Sequence, residues 1–439
     1  MKEIQICKTR ILIVGHNVLD KRTAFGKTLI SFFKGWDNDY IAQLYFHSEV
    51  PTCDICSNYF RITDVEIFHN VFRRHKNVGK KFDAYQIDEK RSSSRTDKGL
   101  QSKIYSFGRK RSSLIYMARN FIWKHAKWFS EELRKWINDF SPKVIFFVAG
   151  DYAFAYDITF KLAEEFNIPV VMYCCDDFFI NRANPQSVLS KKVYKELMKS
   201  VRRCMTKTYA VITICDKMTD AYKKVFDKPI YTVYTGYSTI VSPAEEKKKS
   251  VVYLGNLGYN RADSLVDIGR ALKEISAETG INLQLDVYSS ENRPKILRKL
   301  KLKNGIDFHG AVGADEVRKI ISESVLVLHV ESFKKKNIYK VEYSVSTKIA
   351  DLLVSGVCIF AYGPDKVASM EYLADNSAAI VVNDKTRLKA ELLNAISDGE
   401  FRSYFIKNAQ ILADKNHNSR DVAKNVRDII LSAKQVKSL

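Results

Sequence analysis

The sequence predicts an α/β protein of two doubly wound, Rossmann-like domains facing a cleft. Three observations carry that expectation. Short apolar runs alternate with amphipathic stretches of helical period, the pattern of parallel sheets with crossover helices. Several runs end in glycine or an acid and pass into a polar loop, as strands do at the ligand end of such sheets. The alternation also stops once, at the charged and aperiodic Ser242–Ser250, and then restarts.

In the first half, ILIVGHN (Ile11–Asn17) reads as a strand, followed by a loop and by Gly26-Lys27 opening a helix. KVIFFVAGD (Lys143–Asp151), IPVVMYCCDDF (Ile168–Phe178) and YAVITICD (Tyr209–Asp216) are further buried strands, and PIYTVYTGYS supplies a fifth. Ser113–Trp136 reads as one amphipathic helix and Ser92–Gly99 as a loop. In the second half, VVYLGNLG is a strand, Asp263–Thr279 a helix, and LQLDVYSS and GIDFHGAV are strands. Asp315–Glu323 is a helix, SVLVLHVES a strand, Ser346–Ser355 a helix, VCIFAYGP and AAIVVND strands, and Lys385–Lys434 a helical tail. The expected domains are 1–240, with a basic and aromatic insertion around 73–135, then 241–419, with a final helix from 420 to 439 returning to the first domain.

The chain has 439 residues, with 71 Lys and Arg against 50 Asp and Glu, a net charge of +21. A hydrophobic share of 46% excludes disorder as the main state, and 18 Gly with 8 Pro exclude collagen-like and low-complexity classes. No apolar run reaches the roughly 20 residues of a membrane helix. The N-terminal run lacks the pattern of a secretory leader, so a cytoplasmic location is expected. Eight dispersed cysteines read as reduced thiols rather than a disulfide frame. The stretch 61–150 holds 20 Lys and Arg against 9 Asp and Glu, about half the net charge, with aromatics interleaved. It reads either as a solvated surface over core aromatics or as a patch for an anionic membrane, peripheral at its inner face. Nucleic acid is the least supported partner, because no binding module accompanies the charge.

Four segments could carry chemistry. In SVSTKIADLLVSGVCIFAYGP, Ser346 is placed to cap a helix, Thr347 and Lys348 to open it, and Gly356 to close it. A helix start beside a lysine suits a phosphate, and Asp351, one turn on, suits ribose hydroxyls. The plain reading is a capped helix packed on a sheet. In YCCDDFF, Asp176 and Asp177 end a strand and either orient or deprotonate an acceptor hydroxyl or simply cap a helix. In GHNVLDKRTAFGKTL, His16, Gly26 and Lys27 form a loop able to meet an acceptor or a phosphate. Lys21 stands where a P-loop needs glycine. Cys53-Asp54-Ile55-Cys56 has no second pair for zinc, and the remaining histidines form no ligand-spaced cluster, so no metal is expected.

The segment Ser344–Pro364 resembles the donor-site helix of GT-B glycosyltransferases, in the large retaining bacterial superfamily with the E-x7-E signature. Ser-Thr-Lys, Ser-Gly and Ala-Tyr-Gly-Pro carry the likeness. VVYLGNLGYNR resembles the first strand and loop of the donor domain, and DFHGAVGADEVRKIISESVLVLHVES its base-binding stretch. The likeness spans most of 149–439 and is weak over 61–141. It implies a nucleotide-diphosphate-sugar donor, a glycan or lipid-linked glycan acceptor, retention of configuration, no metal and no cofactor, in polysaccharide biosynthesis. It places Gly255, Asn256 and Arg261 at the diphosphate, Gly310 and Val312 at the base, and Ser346, Thr347, Lys348 and Asp351 at phosphate and ribose. Asp351 stands where the second signature glutamate is usual. The first falls on Tyr343, with Glu342 beside it for the donor sugar. A nucleotide-sugar epimerase, or a non-catalytic partner subunit of the same fold, are the alternatives.

Overall fold

The computed structural model describes residues 6–73, 78–83, 113–181, 187–237 and 250–435. The chain divides into two compact units: residues 1–233 with 420–439, and residues 234–419. The expected loop Ser92–Gly99 lies outside the described residues, as does all of the expected linker except Ser250.

Unit 1 holds β1 (Ile11–Gly15), α1 (Ala24–Phe32), β2 (Ile41–Tyr45), β3 (Asn58–Arg61), α2 (Asp64–Arg73) and β4 (Lys80–Asp83). There follow α3 (Ser113–His125), α4 (Glu131–Phe140), β5 (Val144–Val148), α5 (Ala153–Glu165), β6 (Val170–Tyr173), α6 (Val188–Met205), β7 (Thr208–Thr213), α7 (Asp216–Lys223) and β8 (Ile230–Thr232). The sheet order is β4-β3-β2-β1-β5-β6-β7-β8. Every pair is parallel except β3 with β4. All five residues of β1 are buried, as expected for a central strand covered on both faces.

This sheet is wider than the five strands expected. IAQLY, NYFR and KKFD are short and mixed in polarity, so they lack the apolar run that marks β1 or β5. The helix expected over Ser113–Trp136 is two helices. Ser130 has extended dihedrals and its hydroxyl accepts from the Leu133 N–H, while Glu131 and Glu132 favour a new helix N-terminus.

Unit 2 holds β9 (Val251–Leu254), α8 (Arg261–Thr279), β10 (Leu285–Tyr288), α9 (Pro294–Leu297), β11 (Ile306–Gly310), α10 (Ala314–Glu323), β12 (Leu326–Val330) and α11 (Lys335–Val341). Then come α12 (Lys348–Leu353), β13 (Cys358–Tyr362), α13 (Ala368–Asp375), β14 (Ile380–Val382), α14 (Leu388–Ser397) and α15 (Gly399–His417). The last helix, α16 (Ser419–Gln435), belongs almost wholly to unit 1. The order β11-β10-β9-β12-β13-β14 is parallel throughout. Leu265 and Ile268 of α8 pack with Val251, Leu285, Leu326 and Phe360 in one core. Both sheets reverse direction once, between β1 and β5 and between β9 and β12. Ligands of such sheets bind at the carboxyl ends of the strands beside that reversal.

The two chain segments joining the units are bound to one another. Tyr237 N–H donates to the His417 carbonyl (2.9 Å), the Ser419 hydroxyl donates to the Tyr237 carbonyl, and His417 Nδ1 meets the Thr235 carbonyl (2.7 Å).

Candidate functional site

In unit 2 the reversal between β9 and β12 gathers charge. Gly255 and Asn256 open the loop after β9, and Arg261 is the first residue of α8. Arg261 pairs side-on with Glu331, just past β12: Nε donates to Oε2 (3.1 Å) and Nη2 to Oε1 (2.7 Å). Burial opposes both charges, and each partner offsets it for the other, so Arg261 rises while Glu331 is pushed up by burial alone. Lys348 opens α12 and folds its ammonium back onto the Leu254 carbonyl (2.8 Å). A Cβ on Gly255 would lie 2.5 Å from that nitrogen, so a side chain there would displace the ammonium. Lys348 is exposed as a residue, and its ammonium feels both the protein around it and the charge of Arg261. Burial first and that cation second push its pKa down to about 8. Buried His329, on β12, meets the Ser369 hydroxyl (2.9 Å) and is held neutral, its pKa pushed to about 3 by burial and the two cations.

The helix after Thr347 differs from the expectation. Thr347 has helical dihedrals (φ −56°, ψ −23°) and its side chain makes no cap bond, the Ser346 carbonyl accepts from the Ile349 N–H (3.0 Å), and α12 runs only from Lys348 to Leu353. A cap needs extended backbone to turn its oxygen onto the first N–H groups. Gly356 does take the left-handed conformation, φ +66°, ahead of β13. Asp351 lies in the first turn of α12, and its charge reaches His417 of α15. Glu342 ends α11, and its carbonyl accepts from the Ala368 N–H (2.8 Å). Gly310 ends β11 at φ +79°, with half-buried Val312 two residues on.

In unit 1 the reversal between β1 and β5 gathers rings. His16, just past β1, lies 5.4 Å from the His47 ring and 5.1 Å from Tyr152. Arg119 of α3 lies 4.0 Å over the Tyr152 ring, and its Nη2 is 3.4 Å from His16 Nδ1. Asp64 matches that charge, accepting from Arg119 Nε (2.9 Å) and from Trp123 Nε1 (2.7 Å). Burial, then Arg119 and His47, hold the His16 imidazole well below its ordinary range, so it is neutral. The Gly26 N–H is taken by the Thr23 cap (3.0 Å), and a Cβ there would strike the Asp20 carbonyl, so Gly26 serves the entry of α1. Lys27 is exposed.

After β6, the Asp177 carboxylate accepts from the N–H groups of Phe179, Ile180 and Asn181 (2.7–3.0 Å) and from Tyr222 OH (3.1 Å). Asp176 accepts from the Asp177 N–H (2.9 Å). Burial and Asp176 push the neighbouring Cys175 thiol up to about 12. Buried Cys56 is likewise pushed up to about 12 by burial, and it donates to the Ile41 carbonyl. Two open cavities of about 430 and 490 Å³ lie at the amino ends of the unit 1 strands, away from these residues. Among the described residues, Asp286, Asp307 and His309 form the one set able to hold a metal. They lie on the edge strand β11 and its neighbour β10, and His309 already bonds Asp286 (2.9 Å).

α2 and α3 run together, joined by the Asp64 bonds and by Lys127 N–H to Asn70 Oδ1 (2.8 Å). Each exposes apolar residues at helical spacing: Phe68 (39%) with Phe72 (57%), and Leu114 (63%) with Phe121 (57%). No described helix is long and apolar enough to cross a membrane.

Several solved structures share this architecture. The α,α-trehalose 6-phosphate synthase of Burkholderia multivorans superposes at TM-score 0.61 with 11% identity, covering 99% of both chains. HepE of Anabaena, solved with UDP and glucose, superposes at 0.60 with 10% identity, covering 97% of this chain and 100% of its own. The sucrose-phosphate synthase of Thermosynechococcus elongatus gives 0.57 with 10% identity, covering 96% and 98%. The chain has the GT-B fold. No protein-family model and no curated protein matches the sequence.

Glu331, Asn337 and the turn at Tyr259–Asn260 escaped the sequence reading of this GT-B chain. A signal existed for Glu331: an acid directly after the apolar strand LVLHV, where a buried charge needs a partner.

Proposed function

We propose that the protein is a glycosyltransferase that moves a sugar from a nucleoside-diphosphate sugar to a hydroxyl of a glycan or lipid-linked glycan, with retention and without a metal. The observation that carries this reading is the pair of cations, Arg261 and Lys348, around one acid at the reversal of the unit 2 sheet. Two such cations can neutralise the charge that grows on a departing diphosphate, and the rest of catalysis is positioning. The bound UDP of HepE supports a uridine donor as the first to test. In this reading Gly255 and Asn256 border the diphosphate, Gly310 and Val312 the base, Asp351 the ribose and Glu342 the sugar. Ser346 and Thr347 lie beside the phosphate at the start of α12. Asp177 is engaged by four donors, and Asp176 beside it is assigned to the acceptor hydroxyl, with His16 and Lys27 on the acceptor loop.

The test is titration calorimetry with UDP and GDP, followed by product analysis with the matching sugar nucleotides. Binding of neither nucleotide sinks the reading. An epimerised sugar formed from donor alone would make the protein an epimerase. Nucleotide binding without transfer or hydrolysis, as the Asp351 and Tyr343 departures allow, would make it a non-catalytic partner.

We also propose that α2 and α3 rest on an anionic membrane surface, where a lipid-linked acceptor would be met. Exposed Phe68, Phe72, Leu114 and Phe121, in a stretch rich in Lys and Arg, support this. The protein should co-sediment with vesicles containing 30% phosphatidylglycerol but not with pure phosphatidylcholine, and Phe72→Ala with Phe121→Ala should weaken that binding about tenfold or more. Equal binding to both vesicles would end the proposal.

A further inference from the structure

The loop between β9 and α8 is held in a conformation its residues do not favour. Tyr259 and Asn260 sit consecutively in the left-handed region, at φ 53° and 63°, although neither is glycine. Such strain persists only where neighbours over-determine it. Here Asn337 does so: buried, its Nδ2 donates to the Tyr259 carbonyl (2.7 Å), to Asn260 Oδ1 (3.0 Å) and to Ser332 Oγ (3.1 Å). The Arg261 guanidinium follows directly, and Glu331 grips it. Glu331 is only 3% exposed, and its own carbonyl accepts from the Ser264 hydroxyl (2.7 Å). Gly363, past β13, makes room for it, since a Cβ there would lie 2.9 Å from Glu331 Cβ.

One short segment after β12 thus holds the loop twice, by its backbone at 259–260 and by its charge at 261. A buried ion pair is a poor stabilising device, often matched by apolar residues of the same volume. Its use here calls for another reason. The pairing engages Nε and Nη2, so the outer Nη1 edge of the planar fork is aimed away from Glu331 in a fixed direction.

We propose that Glu331, backed by Asn337, is a positioning residue that fixes the Arg261 guanidinium so that its outer edge takes the diphosphate of a nucleoside-diphosphate ligand. The inference rests on the proposed donor site. Without Glu331 the guanidinium keeps its charge but loses its direction, so the loss falls on the diphosphate and not on base or ribose.

Calorimetry with UDP against UMP, and GDP against GMP, tests this on the full chain. Arg261→Ala calibrates which ratio reads the guanidinium, and we expect it to cut diphosphate affinity about 30-fold. Should that variant fail to fold, Arg261→Met with Glu331→Met, which buries no lone charge, replaces it. Glu331→Gln is expected to cut diphosphate affinity about tenfold while monophosphate affinity stays within about twofold. Glu331→Asp, which keeps the charge, should recover part of the loss. Wild-type diphosphate affinity in Glu331→Gln, alongside a loss in the Arg261 variant, overturns the inference and leaves the donor site standing. Equal losses of mono- and diphosphate in Glu331→Gln also overturn it, since they mark a merely structural role. A wild-type protein that binds none of the four nucleotides overturns the donor site itself.

Discussion

The two sheets reverse in the same way, yet the ends of their strands carry different chemistry. At the unit 1 reversal, Arg119 is matched by Asp64, His16 is neutral, and Tyr152 and His47 fill the space with rings. At the unit 2 reversal, Arg261 and Lys348 stand against a single acid, Glu331, and the Lys348 ammonium is left with a pKa near 8. One end is charge-balanced and aromatic, which suits the faces and hydroxyls of a sugar. The other holds a net positive charge in a partly desolvated place, which suits phosphate. Topology sets where a ligand site falls, and a few side chains set which part of a substrate each sheet can hold.

The largest test of this contrast is in unit 1. Trp123 is fully buried, stacked on Phe154 at 4.2 Å and bonded to Asp64. Trp123→Ala should cost about 3–5 kcal/mol in chemical denaturation. Nucleotide affinity of the folded fraction should not change, and a parallel fall in both would mean the two ends are not separate.

The next effect is in unit 2. Lys348→Met should weaken UDP binding by about 2 kcal/mol, in the range of hydrogen bonds to charged groups, whereas Arg119→Met should leave it unchanged. Equal losses in calorimetry would erase the difference drawn above.

A pH titration comes third. Lys348 is charged below about 8, and the charged form attracts phosphate. Diphosphate affinity should therefore be level below that pH and fall as pH rises through it, approaching tenfold per unit. The fall should vanish in Lys348→Met. A wild-type profile flat from pH 7 to 9.5 would place the ammonium away from the ligand. His16 provides the converse. Its imidazole is neutral in the folded state and titrates near 6.5 when unfolded, so unit 1 should lose stability as pH falls below about 6.5. Substituting His16 by Gln should flatten that arm of the stability curve.

The smallest effect concerns Asp351. Asp351→Glu restores the usual acid of the resembled signature and should change nucleotide affinity by no more than about threefold, one methylene of reach. A change of a hundredfold would show that α12 is placed for aspartate alone.

Much of this was legible along the chain. Buried parallel strands are apolar on both faces, so β1, β5, β6, β7, β9, β12 and β13 announce themselves. The strands β3 and β4, at one side of the sheet with β4 on its edge, do not, because they are four residues long and carry Asn, Arg and Lys. Arg261 could be named along the chain because it follows the glycine loop after β9, and Lys348 because it follows Ser-Thr at the start of a helix. Glu331 could not, since its meaning depends on a partner 70 residues earlier.

The bonds between Thr235–Tyr237 and His417–Ser419 place the two ends of unit 2 side by side. Unit 2 is thus an insertion, and unit 1 is completed by a piece of chain that follows unit 2. α16 buries Val422, Val426, Ile429 and Ile430. During synthesis, unit 2 can fold while unit 1 still lacks that helix, which leaves the ribosome after unit 2. A stop codon at 420 would therefore damage unit 1, most of which precedes unit 2, rather than the unit beside the cut. Joining residue 233 to residue 420 by a short linker would test whether unit 1 folds as a protein of its own.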